Sequence, residues 1–237
     1  MKARSTISVA MATYNGGLYL QDQLQSLAEQ DLSPLELVVT DDGSQDDTVS
    51  LIKNFAQHAA FPLRLEKNTE RLGYGRNFLK AASMCKGTHV AFCDQDDVWL
   101  PHKLSQVSAV LAASDYDLVA HSAKVVDRSL NWLGVSFPDI DSTRPLTLEE
   151  MRGGCFWPGF TLTVSRSLLK VLDSELNQTQ RPHDEKFAHD ELICELACEQ
   201  RSYFVISEPL ALYRQHGNNL IGFHGAMKAR IDNPQTF

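Results

Sequence analysis

The chain has no long hydrophobic run: across its 237 residues nothing approaches the roughly 20 consecutive apolar residues of a membrane-spanning helix. No internal repeat or low-complexity tract breaks it up, which leaves one globular unit with a well-buried core as the expectation. Cysteine is scarce and odd in number. Cys85, Cys93, Cys155, Cys194 and Cys198 sit mostly in apolar stretches, which argues against a disulfide framework and suits a reducing compartment. Positive charge is short: 22 Lys and Arg against 30 Asp and Glu leave a net charge of -8, which disfavours a nucleic-acid backbone as partner. Two glycine signatures are missing as well. Without Gly-x-Gly-x-x-Gly after the first strand, and without Gly-x-x-x-x-Gly-Lys-Ser/Thr anywhere, dinucleotide-binding dehydrogenases and P-loop enzymes are disfavoured. Met1 to Thr6 leads into a strand-length apolar stretch and not into a long h-region, so the cytoplasm is the expected compartment.

What is present is organised around His89 to Leu100, where an apolar run gives way to Asp94, Asp96 and Asp97 within four positions. If Val90 to Cys93 is a buried strand, its period of two carries into Asp94 and Asp96, which then point the same way. Two converging carboxylates repel unless a cation or an array of donors lies between them, and a hard divalent ion such as Mg2+ or Mn2+ prefers such oxygen ligands. A solvated acidic turn that ends a strand and caps the helix near Leu100 is the plainer reading of the same residues.

The chain around this motif alternates. Thr6 to Ala12, Leu35 to Thr40, Leu63 to Glu66 and His89 to Cys93 read as strands, separated by helices from about Leu18, after Asp46 or Asp47, and over Asn77 to Cys85. Short connections between alternating elements predict an α/β fold with an open, mostly parallel sheet flanked by helices. Ligands of such sheets bind outside the carboxyl ends of the strands. Those ends carry Thr13-Tyr14-Asn15, Asp41-Asp42-Gly43-Ser44 and Asp94-Gln95-Asp96-Asp97, so three polar loops should meet at one edge. Further on, Pro101 to Ala113 reads as a helix and Asp117 to Val125 as a strand. Asn131 to Glu150, rich in Pro, Asp, Ser and Thr, reads as an irregular surface excursion and a candidate lid. The aromatic cluster Cys155 to Phe160 suits either core packing or stacking on a sugar or base. Asp190 opens an apolar-periodic helix, where it is either a helix-start carboxylate or a base projecting into a site. Cys194 and Cys198, with His189 nearby, read as buried thiols in preference to a soft-metal site. Tyr213 to Asn219 is a polar loop whose Arg, His and Asn side chains suit a phosphate.

In this order and spacing, Thr13-Tyr14-Asn15, Asp41-Asp42-Gly43-Ser44, Gly73-x-Gly75-Arg76-Asn77 and Asp94-Gln95-Asp96-Asp97-x-Trp99 resemble the family 2 glycosyltransferases of GT-A fold. His189-Asp190 and Tyr213 to Asn219 look like the bacterial rhamnosyltransferase-type members. The resemblance covers roughly residues 5 to 222 and implies one domain, about 1–115 as its nucleotide-binding half and about 116–225 as its acceptor-binding half. It implies that Asp41 accepts from the nucleobase, with Thr13 and Asn15 near base and ribose, and that Arg76 holds the base or diphosphate. Tyr14, Asp42 and Gln95 would complete the nucleotide site. Asp94 would contact the ribose or a metal-bound water, Asp96 would ligate Mn2+ or Mg2+, and His216 would approach the metal or phosphates. Asp190 would be the general base, and Trp157, Trp99 and His189 would line the acceptor or sugar pocket. The implied reaction is inverting transfer of one sugar, UDP- or dTDP-linked and of rhamnose type, to a glycan or lipid-linked acceptor in cell-surface polysaccharide synthesis. The absence of Gln-x-x-Arg-Trp favours single-sugar transfer over processive polymerisation. A lipid-linked acceptor would bring the enzyme to the inner membrane face. The competing expectations are a metal-dependent nucleotide-sugar hydrolase and a non-catalytic nucleotide-binding domain.

Overall fold

The computed structural model describes residues 5–152, 157–179, 188–200, 202–217 and 219. The first half alternates as β1 (Ile7–Thr13), α1 (Leu20–Ala28), β2 (Glu36–Asp41), α2 (Thr48–Ala56), β3 (Leu63–Lys67), α3 (Tyr74–Ser83) and β4 (His89–Cys93). The second half is more varied: β5 (Val98–Trp99), α4 (Lys103–Ala113), β6 (Leu118–Val126), β7 (Trp132–Ser136), β8 (Arg144–Leu146), α5 (Leu148–Arg152), a 3-10 turn (Gly159–Thr161), β9 (Leu162–Ser165), α6 (Arg166–Thr179), α7 (His189–Gln200) and β10 (Tyr203–Arg214).

Among the described residues the strands form one ten-stranded sheet in the order β3-β2-β1-β4-β9-β6-β10-β5, with β7 added to β6 and β8 to β10. β3, β2, β1 and β4 are parallel neighbours. β9 then runs antiparallel to both β4 and β6, while β6 and β10 are parallel. The expected parallel unit is therefore real but stops at β4, where β9 reverses the sense of the sheet.

β1 is buried along its whole length, which is why it reads as an almost continuous apolar run. Its alternation sends Val9 and Met11 to one face and Ala10 and Ala12 to the other. On the first face Leu20, Leu24 and Leu27 of α1, Ile52 of α2, and Leu104, Val107 and Leu111 of α4 complete the core. On the second, Phe78 and Ala81 of α3, Leu168 and Leu172 of α6, and Ile193 and Leu196 of α7 do the same. Each fully buried Leu or Ile contributes roughly 1.5–3 kcal/mol. That packing holds the starts of α1, α3 and α4, where the preceding residue makes no side-chain cap hydrogen bond, whereas at α2 Asp46 Oδ1 accepts the Thr48 N–H (3.0 Å).

Three expectations are corrected. The helix expected over Pro101 to Ala113 is present as α4, but the acidic turn does not lead straight into it: β5 intervenes, its Val98 and Trp99 paired antiparallel with Leu212 and Ala211 of β10. Asn131 to Glu150 is not an irregular excursion, because it holds β7, β8 and the start of α5. β7 is exposed through most of its length, so it carries no alternation for a sequence to display, and its order comes from pairing with β6. The polar loop expected to start at Tyr213 starts only after Arg214, because β10 runs on to that residue; register shifts on either side of Pro209 break its periodicity without ending it. Cys155 and Phe156 of the aromatic cluster, most of the polar run Gln178 to Lys186, and the chain beyond residue 219 lie outside the described residues.

Candidate active site

The register of the parallel unit sets Thr13 beside Asp41, and Met11 beside Cys93 two residues before the end of β1. The loops that follow β1, β2 and β4 thus leave the sheet at one edge. There they frame a cleft of about 350 Å3, lined on this side by Thr13, Tyr14, Asp42, Asp94, Gln95 and Asp96, and on the other by Gly159, Phe160, His189, Asp190 and Tyr213. Residues about two hundred positions apart meet here because β9 pairs with β4, β6 and β10 follow it in the sheet, and α7 packs against α3.

The loops of the first half are braced to one another. Gln95 donates from Nε2 to the Tyr14 carbonyl (3.1 Å) and accepts the Tyr14 N–H at Oε1 (3.0 Å). A Cβ on Gly16 would collide with the locked Gln95 amide, which explains a glycine there. Asn15 adopts a left-handed conformation, φ 48°, that Asn tolerates better than most side chains. From there its N–H donates to Ser44 Oγ (2.9 Å) and its Oδ1 accepts the Gln45 N–H (2.9 Å). Asp41 is turned inward: it accepts from Thr13 Oγ1 (3.0 Å), Ser44 Oγ (2.5 Å) and the Ser44 N–H (3.0 Å). Asp42 faces the cleft and gathers the Leu72 N–H (2.7 Å), the Gly73 N–H (2.9 Å) and Asn68 Nδ2 (2.9 Å), which fixes the turn entering α3. Asn77 ties that helix back to the sheet by donating to the Thr40 carbonyl (3.0 Å).

The acidic motif divides its residues. Asp96 and Asp94 line the cleft, whereas Asp97 points inward and accepts the Arg214 N–H (3.0 Å). Asp94 keeps some surface on the cleft but is enclosed on its other sides. Burial, then the charges of Asp96 and Asp190, push its carboxyl up to about 8, against the pull of Lys103. Asp96 Oδ2 lies 2.9 Å from His216 Nε2, and the His216 ring stacks on Tyr19 at 4.6 Å. Across the cleft, Asp190 is buried at the start of α7. It accepts the Gly159 N–H at Oδ2 (3.1 Å) and the Glu191 N–H at Oδ1 (3.0 Å). Burial holds its carboxyl above the usual range, while those hydrogen bonds pull it down. His189 packs its ring on Phe78 at 4.3 Å and Phe92 at 5.0 Å, and burial lowers its imidazole to about 3, so it is neutral. Neither of its ring nitrogens has a hydrogen-bond partner among the described residues.

No group of three or more His, Cys, Asp and Glu side chains forms a metal cage among the described residues. A Mg2+ or Mn2+ ion needs fewer, since waters and phosphate oxygens complete its shell around one or two carboxylates. Asp94 and Asp96 fit that smaller set: two cleft carboxylates whose mutual repulsion already raises the proton affinity of Asp94.

The structure brings Thr13, Tyr14, Asp42, Asp94, Gln95, Asp96, His189 and Asp190 to the cleft wall. It does not bring Trp99, which is buried in the core with the Lys103 ammonium 3.5 Å over its ring. Trp157 is likewise a core residue, and Asp41, Asn15 and Arg76 are not on the wall. Arg214, expected to suit a phosphate, is buried and engaged: its guanidinium pairs with Asp22 (2.7 Å) and donates to the carbonyls of Asp96 (2.9 Å) and Arg128 (2.8 Å). The cation that the sequence reading overlooked is Arg71, whose guanidinium lies 4.1 Å over the Tyr14 ring on the cleft wall. Its only signal was a basic residue in the glycine-bearing turn before α3. Cys194 and Cys198 pack against the core, and burial raises the Cys194 thiol.

Comparison with known proteins places this geometry in context. Residues 8–172 match the family model described as Glycosyl transferase family 2. An uncharacterized glycosyltransferase of Nostoc sp. is 28% identical over 218 residues, covering 90% of this chain and 66% of that protein. The dTDP-rhamnosyl transferase RfbG of Shigella flexneri is 24% identical over 230 residues, covering 93% of this chain and 76% of RfbG. Among solved structures, S. aureus TarS 1-349 in complex with UDP-GlcNAc aligns with a TM-score of 0.73 at 25% identity, over 90% of this chain and 60% of that one. The mannosyltransferase PcManGT from Pyrobaculum calidifontis, in complex with GDP-Man and Mn2+, shares the fold with a TM-score of 0.64 at 23% identity, over 99% of this chain and 62% of that one. The chain thus spans about two thirds of the Nostoc relative and less of the solved structures.

Proposed function

The chain belongs to glycosyl transferase family 2, and from that premise we propose that it transfers a single sugar, with inversion, from a nucleoside-diphosphate sugar to an acceptor hydroxyl. The observation that carries this reading is the pairing, across one cleft, of Asp94 and Asp96 with the buried carboxylate of Asp190. Asp190 takes the proton of the acceptor hydroxyl as its oxygen bonds to the anomeric carbon; the bond from that carbon to the diphosphate breaks, and the nucleoside diphosphate leaves with the electron pair. General-base assistance of this kind contributes about 10²- to 10⁴-fold. One base suffices, and the carboxyl held above the usual range makes it a better proton acceptor than an exposed aspartate.

Tyr14, Asp42 and Gln95 hold the nucleotide in this reading, with Arg71 over Tyr14 adding positive charge near the phosphates. Thr13, Asn15, Asp41 and Arg76 support the same pocket. A bound Mn2+ or Mg2+, held by Asp96 with Asp94 and His216 nearby, supplies Lewis-acid stabilisation of the leaving diphosphate worth several kcal/mol. His189 and Trp157 shape the sugar and acceptor side, His189 at the wall and Trp157 from the core behind it. About 1–115 then forms the nucleotide half of one domain and about 116–225 the acceptor half. The donor is a UDP- or dTDP-sugar of rhamnose type and the acceptor a surface glycan or its lipid-linked precursor, reached from the cytoplasmic side of the membrane. Among the described residues no helix is long and apolar enough to cross a membrane.

The test is a thermal-shift series with UDP, dTDP and GDP, each with Mn2+ and with EDTA, followed by donor turnover with and without glycan acceptors. Stabilisation by one nucleotide in Mn2+ and acceptor-dependent turnover are expected, since a ligand selective for the folded state raises stability by RT ln(1 + [L]/Kd). Donor consumption equally fast without acceptor would make the chain a hydrolase. Binding without turnover would make it a nucleotide-binding domain.

A further inference from the structure

Lys103, the first residue of α4, is fully buried. A buried ammonium carries a desolvation cost of several kcal/mol, and a Leu or Met of similar volume would pack here without it. Its contacts are few. Nζ donates to the carbonyl of Phe160 at 2.8 Å and lies 3.5 Å from the centre of the Trp99 ring. Burial pushes its amine down to about 7, against the acidic groups of Cys93, Asp97 and Asp94, which favour the ammonium; the amine can donate a hydrogen bond in either form. Asp97 is itself buried, and its Oδ2 has no hydrogen-bond partner among the described residues.

The carbonyl that Lys103 holds belongs to the 3-10 turn Gly159–Thr161. One residue earlier, the Gly159 N–H donates to Asp190 Oδ2 at 3.1 Å. The turn has little freedom on its other sides: a Cβ on Gly159 would strike the His189 ring, and Thr161 is fully buried with both its N–H (2.8 Å) and Oγ1 (2.7 Å) on the Pro158 carbonyl. Lys103 therefore reaches Asp190 through one turn of backbone.

We propose that Lys103 is a positioning residue, which anchors the Phe160 carbonyl so that the Gly159 N–H holds the Asp190 carboxylate in its working orientation. The catalytic meaning of this rests on the transferase reading above, while the structural link does not. With Lys103 gone, the Phe160 carbonyl loses the amine that holds it and keeps only the buried His121 ring beside it, so the turn shifts. Asp190 then loses the Gly159 hydrogen bond and keeps its carboxylate and the bond from the Glu191 N–H.

The experiment compares K103M and K103R with the wild-type chain, using hydrogen exchange and, in parallel, donor turnover per bound nucleotide, with UDP or dTDP in Mn2+ as the binding probe. In K103M, exchange across Gly159–Thr161 is expected to quicken about tenfold or more, the equivalent of one lost hydrogen bond, while β1 and β2 keep their protection. The kcat is expected to fall about 10²-fold with donor KM nearly unchanged, the usual cost of a small misplacement at a reacting centre. K103R, which can still donate to the carbonyl, is expected to recover most of both losses. A folded K103M with wild-type exchange at the turn would overturn the proposal, as would a rise in donor KM at unchanged kcat or a kcat loss that K103R leaves unrelieved. K103Q, neutral but polar, is read the same way if K103M does not fold; if neither folds, Lys103 is a folding residue and the proposal is wrong. Should the wild-type chain turn over no nucleotide sugar, the transferase reading fails, and exchange at the turn still decides the role of Lys103.

Discussion

The two sides of the cleft are built differently. On the side of β1, β2 and β4 the wall consists of loops that end neighbouring parallel strands and are laced together by their own side chains, Gln95 to Tyr14 and Asn15 to Ser44 and Gln45. On the opposite side the wall comes from the 3-10 turn, α7 and the end of β10, where the Gly159 N–H to Asp190 bond joins the turn to the helix. Their other couplings run to elements outside the wall or across the cleft: Phe160 to Lys103, Arg214 to Asp22, His216 to Asp96. In the proposed transfer the laced side would be a preformed cradle for the part of a donor that stays the same, and the coupled side, with Asp190 as the proposed base, would depend on the whole sheet for its position.

If that division holds, substitutions on the two sides should separate chemistry from binding. The largest effect belongs to Asp190→Asn, which should lower kcat by about 10²-fold or more while leaving the Kd for UDP or dTDP unchanged. Steady-state turnover and calorimetric titration together check this, and a matching loss of nucleotide affinity would erase the distinction between the sides.

A second substitution on the coupled side concerns stability. Burial holds the His189 imidazole at about 3 in the folded chain against an ordinary 6.5. As pH falls through 6.5 the unfolded chain takes up a proton and the folded chain does not, so stability present in full above 6.5 is lost progressively toward pH 3. His189→Phe should remove that loss, flattening the profile by on the order of 2 kcal/mol between pH 7 and 4. Urea unfolding at both pH values measures it; an unchanged slope would mean that His189 is not held neutral.

On the laced side, Asp96→Ala should weaken nucleoside diphosphate binding about tenfold or more in Mn2+ and hardly at all in EDTA. Equal losses in both conditions would count against a metal role for Asp96. The smallest effect is expected from Gln95→Ala, which removes two hydrogen bonds to the Tyr14 main chain. It should weaken nucleotide binding by about 1 kcal/mol with kcat unaltered, because two hydrogen bonds of about 1 kcal/mol net each hold the loop and only part of their loss reaches the ligand.

The same two sides differ in how far they could be read from the residues alone. β4 was legible to the residue, His89–Cys93, because a buried parallel strand writes itself as an unbroken apolar run that ends where the ligand loop begins. The three polar strand ends could be read as converging for the same reason. Period two set Asp97 apart from Asp94 and Asp96, but not its partner: its inward turn is met by the Arg214 N–H of a strand 117 residues away. Trp99 read as a pocket residue because an aromatic beside an acidic motif looks the same whether it faces a sugar or, as here, a buried lysine. β7 and β8 were missed because exposed or three-residue strands carry no periodicity, and their order comes from β6 and β10.

The motifs and their spacing carried the resemblance to the family, while period-two burial and short strand-helix connections, which are local properties, carried the parallel unit of β1 to β4 and the edge at which its loops meet. That Asp190 faces Asp94 and Asp96 across one cleft, that Asp41 and Arg214 are taken up inside the fold, and that Lys103 reaches Asp190 through a turn came from the tertiary fold alone. Those outcomes depend on which distant donor is near enough to satisfy a buried polar group, and distance in space is what a linear pattern leaves out.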